Sequence, residues 1–321
     1  MAARYTNGLK RFVTRCCGLE SYRLAADNLQ ELCVIHLSPT TIGNIADETA
    51  VEIAAKKESD PAFREAFQKA EGSVEFYIDG TCIPIRNEAG EREYREVRVG
   101  AYAKREPGES ATPSEWGTRP LPKPTAVAAF AVIENKAEFQ QRCQTERRCL
   151  GVGGVSSALG DGALWIWSLV LMVFGKTAEC LDIYHALEHV ASCGKVLYGS
   201  GSAFTDWLER MRLVLLSEGF AGMERELSAL LLEEEDGEKR QSVGSLLEYL
   251  RKNAGRLNYR ERLEYGRVIG SGLIEGACKN LVGRRLKQTG ACWRLARANR
   301  MAVICAVLYS DQWKYCWKYA H

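Results

Sequence analysis

Apolar positions over the first 70 residues recur at helical spacing. SYRLAADNLQELC from Ser21 predicts one helix. LSPTTIGNIADETAVEIAAKK predicts a second, with Ser38 as N-cap and Pro39 at the first helical position. The turn between them, around His36 to Pro39, allows two readings: a helix-turn-helix or an ordinary helical hairpin. At Gly72 the period changes to two. VEFYID alternates and predicts a strand ending at Asp79, and TCIPIRN and EYREVRVGAYAKRE continue in strand style around a turn at Asn87–Gly90. A loop follows that holds five of the eight prolines. TAVAAFAVI predicts a further strand, Lys136–Arg147 a helix, and VGGVSSALGD a buried strand ending at Asp161. Ala163–Phe174 predicts a helix, TAECLD a short strand and IYHALEHV another helix. Ser202–Gly255 reads as amphipathic helix throughout. From Ser271 the chain is helical again and runs into an aromatic tail (Trp313, Tyr315, Trp317, Tyr319).

Meandering strands followed by alternating β and α segments predict an α/β fold with a mixed sheet covered by helices. Four segments result: a helical N-terminal region (1–71), a core carrying Asp79 and Asp161 (72–201), an all-helical insertion (202–258) and a C-terminal segment (259–321) with Glu275 and a basic, aromatic end.

The 321 residues are 46% apolar and 26% charged, which excludes a disordered chain. Ala163–Phe174, the longest apolar run, is too short for a bilayer span, and the basic start lacks the apolar core of a secretory leader. The twelve cysteines never form CxxC, which predicts reduced thiols and a cytoplasmic location. A net charge of +2 argues against nucleic acid until its distribution is considered. Arg251–Arg300 carries 13 Lys/Arg against three acids, a local +10 that leaves −8 for the remainder. Such segregation is the footprint of a polyanionic partner.

Nucleotide and serine-hydrolase motifs are incomplete: FGKT lacks the upstream glycine of a phosphate loop, and no GxGxxG or GxSxG is present. His185–His189 (HALEH) fits the HxxEH pattern of a zinc peptidase, with Glu188 as the base. That reading needs a third ligand downstream. The other acidic candidates are Asp79 in IDGT, Asp161 in LGDG and Glu275 in SGLIEGACKNLVGRRL. Placed on two neighbouring strand ends and a covering helix, three hard oxygen donors suit Mg²⁺ or Mn²⁺. Two such ions, about 4 Å apart, would activate a water or a 3′-hydroxyl against a phosphodiester.

Taken together, IDGT with REVRVGAY, LGDGALWIW, LDIYHALEH and IGSGLIEGACKNLVGRRLKQTGACW resemble bacterial insertion-sequence DDE transposases of the Kra type, related to the Mutator-like group. The resemblance runs from about Glu75 to Trp317, and the block around Glu275 with GRRLK is its most specific part. It implies a ribonuclease H-like fold with a helical insertion before the catalytic glutamate. It also implies Asp79, Asp161 and Glu275 as catalytic, metal-binding triad, with two Mg²⁺ (or Mn²⁺) ions, and a signature matched by Asp182 and His185. The expected partner is double-stranded DNA, as element terminal repeats and target, bound by a homo-oligomer associated with the nucleoid and without membrane attachment. Relatives usually carry a longer N-terminus with metal-ribbon cysteines, whereas Cys16 and Cys17 here are adjacent and form no ribbon. An inactive, DNA-binding remnant is therefore the alternative expectation.

Plainer roles stand beside these. Asp79 and Asp161 each precede glycine, as turn residues do. Glu275 has Lys279 at i+4 as a salt-bridge partner. Asp182 suits an N-cap, and Trp165 and Trp167 suit a core. Lys279, Arg284, Arg285 and Lys287 are either a solvated helix face or phosphate contacts, and their crowding favours phosphate.

Overall fold

A computed structural model describes residues 5–288 and 290–317; Tyr319 of the expected aromatic tail lies outside them. The chain forms two compact units, both discontinuous in sequence. The first comprises residues 1–104, 125–154 and 273–321, and the second residues 105–124 and 155–272.

The first unit begins with four helices, α1 (Asn7–Leu19), α2 (Tyr22–Cys33), α3 (Pro39–Ser59) and α4 (Pro61–Lys69). Each starts at a residue whose side chain accepts a first-turn amide: Thr6, Ser21, Ser38 and Asp60. The turn after α2 passes through Val34 at φ 55°, an uncommon left-handed position for a β-branched residue. Strands β1 (Ser73–Arg86), β2 (Arg92–Arg105) and β3 (Ala126–Val132) follow, then α5 (Lys136–Leu150), which opens on a full capping box of Asn135 and Glu138.

Asp79 does not end a strand. It lies inside β1, which runs on through Gly80 to Arg86, so the Asp-Gly pair is part of the sheet and not a turn. Ladder bonding overrides the local turn preference of the dipeptide.

In the second unit, β4 (Ser157–Gly160) is shorter than VGGVSSALGD suggests, because only its last residues are in the sheet. Then come α6 (Leu164–Phe174), β5 (Ala178–Leu181), α7 (Ile183–Tyr198), α8 (Ser202–Glu233), α9 (Gly237–Lys252), a short 3₁₀ turn and α10 (Tyr259–Glu264). Helix α8 is broken at Gly219, with φ 58° and ψ −136°, where a β-carbon would sit 2.7 Å from the Leu257 carbonyl oxygen. Gly266, at φ 63°, is equally constrained, since a β-carbon there would collide with the backbone of Gly108. That approach pins the proline-rich loop, whose Gly108 amide donates to the Gly266 carbonyl at 2.9 Å.

The chain then returns to the first unit. Helix α11 (Gly272–Ala277) passes directly into a π-helical stretch (Cys278–Gly283) and the short α12 (Arg284–Leu286); α13 (Leu295–Tyr309) and α14 (Trp313–Cys316) close the chain. The described part of the segment between α12 and α13 is not helical. It bridges to β1 through Trp293, whose amide donates to Pro84 and whose carbonyl accepts from Arg86.

The fold is α/β with a mixed five-stranded sheet in the order β3-β2-β1-β4-β5. β2 and β3 are antiparallel, with Gly100 opposite Phe130; β4 and β5 are parallel, with Gly160 opposite Leu181. The first unit's core includes a run of rings, Phe76, Tyr102, Phe130 and Phe139, with successive centroids 5.0, 6.3 and 5.8 Å apart. A second cluster packs Trp313 of the tail with Ile53, Phe63 and Val307. The second unit's core joins Ile166, Val170, Val190, Met211, Leu215, Leu246 and Tyr259. Trp167 belongs to this core, under the guanidinium of Arg256 at 4.5 Å. Among the described residues no helix is long and apolar enough to cross a membrane.

Candidate active site

In the first unit, Asp79 is fixed by its position in β1. Its Oδ1 accepts the Gly80 amide at 2.7 Å and its Oδ2 accepts the Cys278 thiol at 3.3 Å. Cys278 begins the π-helical stretch one residue after α11, so the strand carboxylate is tied to the segment that carries Glu275. Burial raises the pKa of this thiol well above the usual value. The charge of Asp79 and its hydrogen bond add to the rise, Glu275 adds a little more, and Lys287 opposes them. Cys278 is thus hydrogen-bonded to Asp79 and follows Glu275 by three residues. Lys287 also reaches β1, where it donates to the Thr81 hydroxyl.

Glu275 is exposed, and the i,i+4 pair with Lys279 is not made: among the described residues Glu275, Lys279 and Arg284 have no ion-pair partner. The basic cluster does not share one face. Lys279, Arg284 and Lys287 are exposed, but Arg285 is 3% exposed. Its Nε donates to the Cys17 carbonyl at 2.6 Å, and its guanidinium lies 5.0 Å from the Tyr22 ring and 4.7 Å from the Trp293 ring. Desolvation lowers its pKa from the usual arginine value. In this conformation Arg285 is a buried tie between α1, α2 and the C-terminal segment, with no face offered to a phosphate.

In the second unit, Asp161 directly follows β4, and its Oδ1 accepts the Ala163 amide at 2.8 Å, shaping the entry to α6. Gly162 beside it packs on the Tyr249 ring. Tyr249 stacks on His189 with centroids 3.8 Å apart, and burial followed by the charge of Asp161 raises the Tyr249 pKa. His189 is held below its usual pKa, first by desolvation and then by His185. His185 Nδ1 instead faces Glu188 at 3.4 Å, so the two histidines of HALEH are engaged with different partners.

Asp182 is 2% exposed and caps α7 through the Tyr184 amide at 3.2 Å. The same carboxylate accepts both the amide of Ser271 (3.0 Å) and its hydroxyl. The residue thus locks the start of α7 to the stretch that leads into α11. The sequence pattern flagged Asp182 but not Ser271, whose only signal is its place beside two glycines in IGSG.

The three carboxylates are divided between the units, Asp79 and Glu275 in the first and Asp161 in the second. Their oxygen donors are of the chemical type a hard divalent cation takes. Among the described residues no three His, Cys, Asp or Glu side chains form a ready-made metal cage. No protein-family model matches the chain, and no curated protein is significantly similar to it.

Proposed function

We propose that this chain is a DDE transposase with a ribonuclease H-like catalytic domain, which cuts DNA at the ends of an insertion sequence and joins the freed 3′-hydroxyl to target DNA. The observation that carries the reading is the hydrogen bond that ties Asp79 on β1 to Cys278, three residues after Glu275. The order β3-β2-β1-β4-β5, antiparallel at β2/β3 and parallel at β4/β5, supports the fold assignment.

Asp79, Asp161 and Glu275 would hold the metal, whose donor requirement their carboxylates fit. Mg²⁺ or Mn²⁺, when bound, supplies positive charge for the scissile phosphate and acidifies the attacking water or hydroxyl. The chain's own groups prepare the substrate. The Gly80 amide and the Cys278 thiol orient the Asp79 carboxylate, while Glu275 makes no competing hydrogen bond or ion pair among the described residues. Lys279, Arg284 and Lys287 are exposed and would neutralise backbone phosphate beside the reacting strand. Arg285 has no part in this contact and holds the segment in place from beneath.

Strand transfer by the purified full chain on DNA carrying the ends that flank its coding frame, with and without Mg²⁺, tests the proposal. Asp161→Asn and Glu275→Gln should each abolish transfer while leaving DNA retention intact. Full activity in either variant refutes the triad. Retention of DNA by the wild-type chain without transfer under any divalent cation would instead identify a remnant that binds but does not cut.

A further inference from the structure

A cleft of about 790 Å³ in the first unit is lined by Arg86, Arg294, Arg297 and Arg300, with the buried Arg285 at its base and Asp47 as its one acidic side chain. Its walls are the start of α2, the middle of α3, the end of β1 and the first two turns of α13. Asp47, 8% exposed, pairs with Arg297 at 2.8 Å and with Arg300 at 3.6 Å, so it holds two guanidinium groups in place but can neutralise only one. Among the described residues Arg86 and Arg294 have no ion-pair partner at all. Arg86 and Arg294 also line a neighbouring cleft that carries Glu88, Glu93, Glu96, Glu134 and Glu138, so the excess of positive charge belongs to the side of these arginines that faces α2, α3 and α13.

Its placement on α13 sharpens the point. Arg294 is the N-cap residue of that helix, no side chain caps it, and its first turn holds no acid. Cations at a helix N-terminus oppose the helix dipole, and free amides there favour an anion. Arg294 at the cap and Arg297 and Arg300 in the first two turns of α13 all line the cleft and span about 9 Å along the helix axis. That length matches the rise of two to three nucleotides at about 3.4 Å each, more than one isolated phosphate. Concavity and the exclusive use of arginine favour forked contacts to phosphodiester oxygens over a membrane surface. The rings at the cleft, Tyr22 and Trp293, have the Arg285 guanidinium against their faces. No open stacking platform of the kind single strands use is left at those rings.

We infer that this arginine cleft is a second DNA contact, one that grips the backbone of duplex DNA independently of sequence. It rests on the transposase reading only for the choice of DNA over other duplexes, since the contact itself needs neither the carboxylates nor a metal.

The test is fluorescence anisotropy of the full chain with a labelled duplex of about two helical turns (~20 base pairs) in EDTA, between about 50 and 200 mM salt. EDTA separates this outcome from the fate of the catalytic reading. Arg294→Ala with Arg300→Ala should weaken binding by about tenfold or more and reduce the slope of log K against log salt by about two. Arg86→Gln, at an exposed position with no ion pair to lose, should lower the slope by about one and guards against misfolding of the double variant. Arg148→Ala, which removes an exposed arginine outside the cleft, is the control. Binding by the cleft variants equal to that of the control overturns the inference. So does a labelled single strand or duplex RNA that binds more tightly than duplex DNA through the same arginines, or an effect confined to anionic phosphatidylserine vesicles.

Discussion

Replacing Arg285 with alanine removes a buried cation, one charge-assisted hydrogen bond and contacts with two rings. The bond to the Cys17 carbonyl contributes about 1.5–3 kcal/mol, and its loss strands a carbonyl inside the first unit. Each ring contact adds about 0.5–1 kcal/mol or more once desolvated. Relief of the guanidinium's desolvation offsets part of this, a term that can reach several kcal/mol for a buried ion. A net loss of about 2–4 kcal/mol is expected, inside the range for broken buried networks. Arg285→Lys retains the charge but neither the planar fork nor the stacking, and should recover less than half of the deficit. Urea unfolding followed by far-ultraviolet circular dichroism measures both. The duplex-binding assay with the same variant, under conditions where it stays folded, should show little change in salt slope. A loss below about 0.5 kcal/mol, the range of ordinary surface substitutions, together with a slope lowered by one, would refute the buried role and return Arg285 to the phosphate-contacting set.

Two further perturbations follow from the buried polar groups. Burial lifts the Cys17 thiol from 9.0 to about 12, and burial likewise lifts Cys305 to about 12. The folded chain then holds protons that the unfolded chain releases, so stability is full below pH 9.0 and falls as pH rises towards about 12. Urea midpoints at pH 8 and pH 10 should show the drop, and Cys17→Ala should flatten it; an equal slope in the variant would exclude this cause. Asp182→Ala removes the cap of α7 and both bonds from Ser271, a loss of about 3 kcal/mol or more, whereas Asp182→Asn keeps part of the network. Hydrogen exchange should show lost protection at the start of α7 and at Ser271 together, and unchanged protection at Ser271 would show that the tie is not formed in solution.

Local signals with a strong chemical basis were readable from the chain. Ser38 followed by Pro39 marks the start of α3, because the pair satisfies one orphan amide and removes another. The aromatic and β-branched alternation of VEFYID marks β1, but its length was not legible: Asp79-Gly80 has turn preference by itself and joins the ladder only because neighbouring strands are present. The division of the chain into two interleaved units leaves no local trace, since it is set by long-range packing. At the candidate site, residue types were visible and orientations were not. Arg285 looks like its neighbours until it is set among Leu281, Val282 and Leu286, all buried, where a lone arginine on an apolar stripe signals an internal bond. The spacing of Arg294, Arg297 and Arg300 was equally visible, but the concavity they line depends on α2, α3 and β1.

The π-helical stretch from Cys278 to Gly283 fits one residue more between Glu275 and Arg285 than regular α-helical winding would. Taking one residue out would restore regular winding and turn everything beyond it by about 100°. Arg285 would swing away from Tyr22 and Trp293, and Lys287 away from Thr81, while Glu275 stayed where it is. Point substitutions at many positions here should be survivable, but a single-codon deletion should not. The number of residues between the glutamate and its basic neighbours is therefore a structural requirement of this segment in its own right.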